Sequence, residues 1–252
     1  MNKRHWDNES KIAFYHIILK VPDNTDGNSS YAFKEQHKER LQNLLLYLDS
    51  FYLPEVISFC IMSNHVHIVV AHDKGATDGM TLKDIAKKYQ KYYKLKQAPD
   101  ARSQEVRNFK KRINSLSDFM RDLQRRFTMW YNHQFEVKRR GALWNPRFKS
   151  TILKSGKALA DCMKYVELNP VRAKLASTPG EYRFCSWSHI CRDSYQGNTF
   201  KARIVKYLRY LHGSQIKQKK DEGIFRSYAG DLETLALAVN DNKLIKKIDP
   251  YQ

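Results

Sequence analysis

The sequence predicts an α+β fold: a ferredoxin-like antiparallel sheet with helices on one face, helical insertions and a helical C-terminal extension. Two observations predict this class. Segments typical of strands and helices follow one another in the order β-α-β-β-helices-β-α. The two middle strands are separated only by a tight turn at Ser63-Asn64, so they are predicted to form a hairpin, and a parallel α/β sheet is less favoured.

The first half of the chain predicts three strands and one helix. Residues 12–20 are rich in β-branched and aromatic side chains, which is typical of a strand. Residues 33–50 carry leucines at i, i+3, i+4 and i+7, the spacing of one helical face. Residues 55–62 and 65–71 are apolar segments of strand length on either side of the tight turn, and they complete the hairpin.

The middle of the chain predicts two helices with a less regular stretch between them. Thr81 is a suitable N-cap for a helix over residues 82–96, because its hydroxyl can accept a hydrogen bond from a free backbone N–H group. Apolar side chains at helical spacing predict a second helix over residues 116–132. Residues 98–112 are polar and strongly basic, and we expect them to be partly mobile.

A further strand and a short helix follow. Residues 147–153 have the composition of a strand, and residues 156–168 have a helical pattern. This helix is expected to stop at Asn169, because Pro170 disfavours the helical conformation in the residue before it.

One domain with an appendage is predicted from this order. Residues 1–195 are assigned to the sheet domain, in which a basic helical insertion covers about residues 81–140. Residues 196–252 are assigned to a basic C-terminal extension, with helical patterns over 201–212 and 230–247.

Composition argues against several protein classes. Hydrophobic residues make up 42% of the chain and aromatic residues 12%, enough for a packed core rather than global disorder. No apolar run approaches the length of a membrane span, and the N-terminus has no apolar signal segment. The four cysteines form no C-x-x-C pair, so neither a disulfide scaffold nor a zinc finger is favoured, and a cytoplasmic location is expected.

The positive charge is concentrated in one part of the chain. Lys and Arg total 45 against 26 Asp and Glu, a net charge of +19. Residues 83–154 hold 20 basic and 6 acidic side chains, which gives +14 in 72 residues. A polyanion is the natural partner of such a segment, and the alternative is a solvated basic surface. Interleaved aromatic residues favour nucleic acid, and we predict DNA contacts at Lys87, Lys88 and Lys91.

Two histidines of the second hairpin strand are candidate metal ligands. His65 and His67 are two residues apart, so on a strand both side chains point to the same face. Two neutral imidazoles at that spacing can bind one divalent ion and leave other coordination positions open. The alternative is an ordinary pair of strand histidines. His16, on a neighbouring strand, is either a further polar group near this site or a hydrogen-bonded sheet histidine.

A tyrosine and an asparagine of the helix after the last strand are candidate partners of these histidines. Tyr165 and Asn169 are i and i+4, so they share one helical face. Tyr165 lies at the border of the apolar stripe, from which its phenol can enter a cleft, and a phenolate is a competent nucleophile toward phosphorus. The amide oxygen of Asn169 is a candidate third ligand for Mg²⁺ or Mn²⁺, and the alternative is a helix-terminating role.

Three motifs together carry a resemblance to a known family. In this order, SNHVHIVV, LWNPRFKS and YVELNPVRA resemble the HUH single-tyrosine transposases of insertion sequences, and most closely the branch called REP-associated tyrosine transposases. The resemblance spans roughly residues 11–190. The chain departs from the family pattern by its basic stretch around residues 96–115 and by its extension after residue 196.

The resemblance implies a fold, an activity and a set of site residues. The implied fold is a ferredoxin-like sheet that carries both histidines, with the tyrosine on a helix after the last strand. The implied activity is cleavage of single-stranded DNA at a hairpin element, through a 5′-phosphotyrosine and a free 3′-OH. By position, His65 and His67 would be metal ligands, Tyr165 the nucleophile and Asn169 the third ligand.

Basic residues beside these motifs are predicted to contact DNA. Arg147 and Lys149, next to Trp144 and Phe148, form the mixture of cations and rings that holds single strands. The alternative is that both rings belong to the core. Arg172 is predicted either to contact the scissile phosphate or to pair with Glu167.

The predicted function is therefore that of a metal-dependent single-strand DNA endonuclease and strand transferase, a transposase. Two alternatives remain open at this point: a non-catalytic regulator that is derived from a transposase and binds hairpin DNA, and a metal-dependent phosphodiesterase that activates water. The predicted partner is single-stranded or hairpin DNA rather than a membrane, and a homodimer is compatible with the sequence. The predicted location is the bacterial cytoplasm, at the nucleoid when bound to DNA.

Overall fold

The computed structural model of the chain describes residues 10–22, 33–134, 141–145, 148–212 and 220–240. Within these ranges it has four strands and eight α-helices. In chain order the elements are β1 (Ile12–Lys20), α1 (Glu35–Asp49), β2 (Glu55–Ile61), β3 (His65–Asp73), α2 (Leu82–Tyr93), α3 (Gln104–Ile113), α4 (Leu116–Asn132), β4 (Lys149–Ile152), α5 (Gly156–Arg172), α6 (Ser186–Cys191), α7 (Tyr195–His212) and α8 (Asp221–Asn240).

The four strands form one antiparallel sheet in the order β2-β3-β1-β4. Strands β2 and β3 form the predicted hairpin, and β1 pairs with both β3 and β4. Because each strand is antiparallel to its neighbours and β1 lies in the middle of the sheet, the predicted ferredoxin-like α+β class is confirmed.

The prediction places helices on one face of the sheet, and in the structure both faces are buried. On β1 and β3, successive side chains point to opposite faces of the sheet. The side chains on the face away from the histidines are buried, and so are several on the histidine face. Ile17, Val66 and Ile68 are at most 1% exposed, and so is His16 on the other face. Helix α5 packs on β2 and β3, α7 packs on β2, and α1 contacts β2 and α4.

Helix α3 corrects the expectation of a partly mobile segment over residues 98–112. It begins after Ser103, whose hydroxyl accepts a hydrogen bond from the backbone N–H of Val106. Val106, Phe109 and Ile113 are fully or almost fully buried. Their spacing of i, i+3 and i+7 is that of an apolar helical stripe. The composition of the whole segment is polar and basic, so it does not reveal this stripe. Helices α2 and α4 are found where they are predicted, with Thr81 as the N-cap of α2.

A buried carboxylate ties the helices of this insertion together. Asp122 of α4 accepts a hydrogen bond from Tyr52 at 2.8 Å and another from Tyr92 of α2. Arg112 of α3 donates to the same carboxylate oxygen at 2.5 Å. The guanidinium and both hydroxyls hold the pKa of Asp122 below its usual value, against the effect of burial.

Helix α5 corrects the prediction that Asn169 ends it. The helix continues through Pro170 to Arg172. Proline removes the N–H that would bond to the carbonyl of Val166, but the side-chain amide of Asn169 lies within 3.5 Å of that carbonyl and donates to the carbonyl of Tyr165 at 2.9 Å. A side-chain donor thus replaces the missing backbone donor, and the helix tolerates the proline.

The C-terminal helices pack onto the sheet and onto α5. Arg203 of α7 donates to Asp49 and to the carbonyl of Val56, both at 2.7 Å. Trp187 stacks on Phe225 of α8 with ring centroids 5.7 Å apart. Helix α7 begins earlier than the helical pattern at 201–212 indicates, and α8 begins at Asp221 rather than at residue 230.

Some predictions fall on other parts of the chain. Residues 241–247 of the last predicted helix lie outside the described residues, and the division of the chain at residue 196 stays a prediction. Among the described helices, none is long and apolar enough to cross a membrane.

A candidate metal and nucleophile centre

The two histidines of the H-x-H motif lie side by side on one face of β3. The ring centroids of His65 and His67 are 4.9 Å apart, and Val66 between them is buried on the other face. The ring of Tyr165, on α5, lies against His67 with centroids 5.6 Å apart. The structure therefore brings together the candidate nucleophile and the candidate ligands, which are about 100 residues apart in the sequence.

His16 is part of this cluster. Its Nε2 and the Nδ1 of His67 are 2.9 Å apart and share one hydrogen bond, and the two rings are stacked. Burial lowers the pKa of His16 to about 4, and burial together with neighbouring positive groups lowers the pKa of His67 well below its usual value. Both imidazoles are therefore neutral at pH 7, so one of them donates and the other accepts.

The hydrogen bonds of the H-x-H pair select which ring nitrogens remain free. His65 Nδ1 lies 2.7 Å from Asn64 Oδ1, which can only accept, so this Nδ1 carries the hydrogen and the lone pair is on Nε2. If His67 Nδ1 likewise donates to His16, its lone pair is also on Nε2. Such second partners are what orient metal-binding imidazoles in proteins. In that tautomer the same nitrogen of both rings would be available to one ion.

Tyr165 is half-buried beside a guanidinium. Arg172, two helical turns further on α5, lies 4.9 Å from the centre of the Tyr165 ring. A cation at that position can balance the negative charge of a phenolate or of a phosphate that approaches it. Of the two predicted partners of Arg172, Glu167 is not one: among the described residues the two form no ion pair, and the Glu167 carboxylate accepts hydrogen bonds from other groups.

Glu167 is a buried clamp between α5 and the chain segments at the edge of β2. Its carboxylate accepts from the hydroxyl of Ser58 at 2.8 Å, from the hydroxyl of Ser186, and from the backbone N–H of Trp187 at 3.1 Å. Burial raises the pKa of Glu167 to about 7. Since Glu167 is two residues after Tyr165, this clamp fixes the part of α5 that carries the phenol.

Asn169 stays a candidate third ligand, and its side-chain amide is held by the helix itself. Its Nδ2 is held by the backbone carbonyls of Tyr165 and Val166, so the amide is fixed and its oxygen remains the free acceptor. No cluster of three or more His, Cys, Asp or Glu that could hold an ion occurs among the described residues. Two imidazole nitrogens and one amide oxygen are a donor set that fits a divalent ion such as Mn²⁺ or Mg²⁺.

The predicted DNA-binding residues are found in different settings. Lys149 lies exposed on β4 opposite Ile18, which itself lies opposite His67, so Lys149 and His67 share a face two strands apart, about 10 Å. Arg147 lies outside the described residues. Trp144 and Phe148 are each 6% exposed, so both rings belong to the core, as the alternative interpretation has it.

The three lysines that were singled out on α2 do not share one environment. Lys87 and Lys91 are exposed. Lys88 is half-buried and donates to the backbone carbonyl of Phe51 at 3.3 Å, and burial lowers its pKa. It therefore holds α2 against the end of α1 rather than pointing a charge into solvent.

Three residues of the site are missed by sequence reasoning. Lys20 is the register partner of His65 on β1, a position that only the strand pairing reveals, and burial together with the charge of Lys20 lowers the pKa of that histidine. Asn64 directly precedes His65, and an amide next to a candidate ligand is a signal that could have been used. Glu167 lies between Tyr165 and Asn169 in the sequence, but its buried partners come from distant segments.

Comparison with known proteins gives one structural likeness. No protein-family model matches the sequence, and no curated protein matches it. Among solved structures, the chain is similar to a REP-associated tyrosine transposase bound to a REP hairpin, with 13% sequence identity and a TM-score of 0.46. The similarity covers 77% of this chain and 88% of that chain.

Proposed function

We propose that the chain is a metal-dependent single-strand DNA endonuclease and strand transferase that uses Tyr165 as its nucleophile. The observation that carries the proposal is the contact of the Tyr165 ring with His67, which lies side by side with His65 on one strand face. A nucleophile, a place for a Lewis acid and a guanidinium meet at one point, which is what phosphoryl transfer to a protein side chain requires.

The proposed reaction exchanges one phosphodiester bond for another. The Tyr165 phenol loses its proton, and its oxygen forms a bond to the scissile phosphorus while the bond from phosphorus to the 3′ oxygen breaks. That oxygen takes up a proton and leaves as a 3′-OH, and the 5′ phosphate stays on the tyrosine. A 3′-OH that attacks the phosphotyrosine reverses the step and rejoins strands, so no high-energy cofactor is consumed.

The residues around Tyr165 have separate tasks in this proposal. His65, His67 and Asn169 would hold Mg²⁺ or Mn²⁺, which when bound supplies Lewis-acid polarisation of the phosphate. His16 and Asn64 fix the tautomers of the two histidines. Lys20, Lys149 and Arg172 surround the site with positive charge that attracts the DNA backbone.

The test is capture of the covalent adduct. The full chain is incubated with Mn²⁺ and a single-stranded oligonucleotide that carries a hairpin and a 3′ label, and the product is resolved under denaturing conditions. We expect a labelled protein band in wild type and none in Tyr165→Phe, which keeps the ring and removes only the oxygen. The mutant is expected to bind the DNA as wild type does, and EDTA is expected to abolish the wild-type adduct.

The other outcomes separate the competing functions. Binding without any cleavage in wild type would indicate a hairpin-binding regulator. Cleavage without an adduct would indicate a phosphodiesterase that activates water. An adduct that persists in Tyr165→Phe would move the nucleophile to another tyrosine. Tyr131 of α4 is 3% exposed and packs against Phe33 and Phe127, so it is poorly placed for that role.

A further inference from the structure

A basic pocket lies at the other end of β3 from the two histidines. It is a cavity of about 640 Å³ between the end of β3 and helix α3. Four cations line it, and none of the residues that line it is a carboxylate. The cations are Lys74, Arg107, Lys110 and Lys111.

Helix α3 presents this pocket because its sequence has two faces. Arg107, Lys110, Lys111 and Asn114 recur at i, i+3, i+4 and i+7, so they form one stripe. At 100° per residue the centre of this stripe is about 115° from that of the buried apolar stripe described above. The apolar face fixes the helix to the fold, and the basic stripe is thereby held at the rim of the pocket.

The cations of the stripe are not used to hold the fold. Within the described ranges, no carboxylate pairs with Arg107, Lys110 or Lys111. Arg112 of the same helix is in contrast bound to Asp122. Like charges that are gathered without counter-charges repel each other, and a bound anion would relieve that repulsion.

The floor of the pocket is preformed. His72 Nε2 donates to the backbone carbonyl of Asn114 at 2.8 Å, and Asn114 Nδ2 donates to the carbonyl of Lys74 at 2.9 Å. These bonds join β3 to the end of α3. Asn114 Oδ1 is buried and has no hydrogen-bond partner in the described part of the chain, so it is an acceptor that a water can fill.

This pocket is separate from the proposed cleavage site. His72 follows His65 by seven residues on the same strand, which corresponds to about 23 Å. An even-numbered position such as 72 also points to the face opposite that of His65 and His67. A group bound in the pocket therefore cannot be the scissile phosphate.

We propose that the pocket binds backbone phosphates of the DNA at a distance from the cleaved bond. The choice of DNA rests on the proposed function, and the choice of phosphate rests on the cations themselves. The pocket would contact the helical stem or the flank of the substrate and fix its position, whereas Tyr165 contacts the bond that is cut. Phosphate contacts of this kind position a nucleic acid without reading its sequence.

The test compares two triple variants by DNA affinity as a function of salt. The probe is a fluorescent hairpin with a stem of about 12 base pairs, which spans about 40 Å, and the readout is anisotropy of the full chain. For Arg107→Gln, Lys110→Gln and Lys111→Gln together, we expect affinity about tenfold lower and a salt slope reduced by about 2 to 3, since each lost phosphate contact removes 0.7 to 0.9.

A matched control removes the same charge elsewhere. Arg192→Gln, Lys201→Gln and Lys220→Gln together neutralise three exposed cations on the C-terminal side of the chain. We expect the salt slope of this control to stay within about 1 of wild type. Equal losses in the two triple variants, or no loss in the α3 variant, would overturn the proposal.

A second arm separates DNA from a small anion. Thermal unfolding of wild type and of the α3 variant is measured with inorganic pyrophosphate. A pyrophosphate stabilisation that the α3 variant loses, with an unchanged salt slope for DNA, would identify a small-anion site and overturn the proposal. Because the DNA readout is binding, a chain that forms no adduct at Tyr165 can still confirm the pocket, and the two proposals fail independently.

Discussion

His16 has the most consequential surroundings of any single residue in the site. It is almost fully buried, and its Nε2 lies 2.9 Å from the Nδ1 atom of a candidate metal ligand, His67. A buried imidazole needs a hydrogen-bond partner, and here that partner is the ring of a candidate metal ligand. We infer that His16 selects the tautomer of His67 in which Nε2 can bind an ion.

Two substitutions of His16 test this role. His16→Phe keeps a flat ring for stacking but removes the acceptor, and we expect the affinity for Mn²⁺ to fall about 10- to 100-fold, as for lost outer partners of other metal sites. His16→Gln keeps an acceptor oxygen and is expected to bind Mn²⁺ within a few-fold of wild type. Calorimetric titration of the two variants measures the difference, and equal affinities would reduce His16 to a packing residue.

Asn169 can be tested by separating its two tasks. Both Asn169→Leu and Asn169→Asp lose the amide donor to the carbonyls of Tyr165 and Val166, so we expect each to lower the free energy of unfolding by about 1 to 2 kcal/mol. Only Asn169→Asp keeps an oxygen ligand. It is therefore expected to retain Mn²⁺ affinity, and Asn169→Leu to lose it.

The measurements are chemical denaturation and calorimetric titration. If Asn169→Leu bound Mn²⁺ as tightly as wild type, the amide would serve the helix alone, and the third ligand would have to be another group.

At the scale of the element, helix α5 is held in place by one carboxylate. Glu167 joins the helix to Ser58 of β2 and to the start of α6, where Ser186 and Trp187 donate to it. Three donors from two distant segments converge on a residue that follows Tyr165 by two positions on the helix. The position of Tyr165 relative to the histidines of β3 thus depends on a contact that lies outside the site itself.

Substitution of Glu167 is expected to affect stability and nucleophile position together. Glu167→Ala leaves buried donors without an acceptor and opens a cavity, so we expect a loss of about 3 kcal/mol or more in the free energy of unfolding. Glu167→Gln keeps one acceptor oxygen at nearly the same volume and is expected to cost about 1 kcal/mol.

Chemical denaturation checks both values, and the rate of adduct formation at Tyr165 is expected to follow the same order. An adduct rate that is unchanged in a folded Glu167→Ala protein would show that α5 is positioned by other contacts.

At the scale of the whole molecule, the fold was predictable because its signals are local. The tight turn between β2 and β3, the leucine spacing of α1 and the cap at Thr81 each specify a neighbouring element without long-range information. Helix α3 was not predicted, since three apolar positions were outnumbered by charges. The continuation of α5 through Pro170 was not predicted, because a side-chain donor replaces the backbone one.

The candidate site was predictable only in part, for a physical reason. The spacing of His65 and His67, and of Tyr165 and Asn169, places each pair on one face of its own element. Which elements meet is decided by strand register and helix packing, and these bring in His16 and Lys20 from β1. The basic pocket illustrates the same limit, because Lys74 and the α3 cations are joined only by the fold.

The proline inside α5 has a consequence for how a ligand is aimed. In many metal sites a hydrogen bond from a residue on another element orients each ligand. Such a ligand is oriented only when both elements are folded. In the candidate site, Pro170 leaves the carbonyl of Val166 without its backbone donor, and the amide of Asn169 lies between that carbonyl, at 3.5 Å, and the carbonyl of Tyr165, at 2.9 Å. All contacts that orient the Asn169 amide therefore come from its own helix, and one helical turn sets the direction of its oxygen.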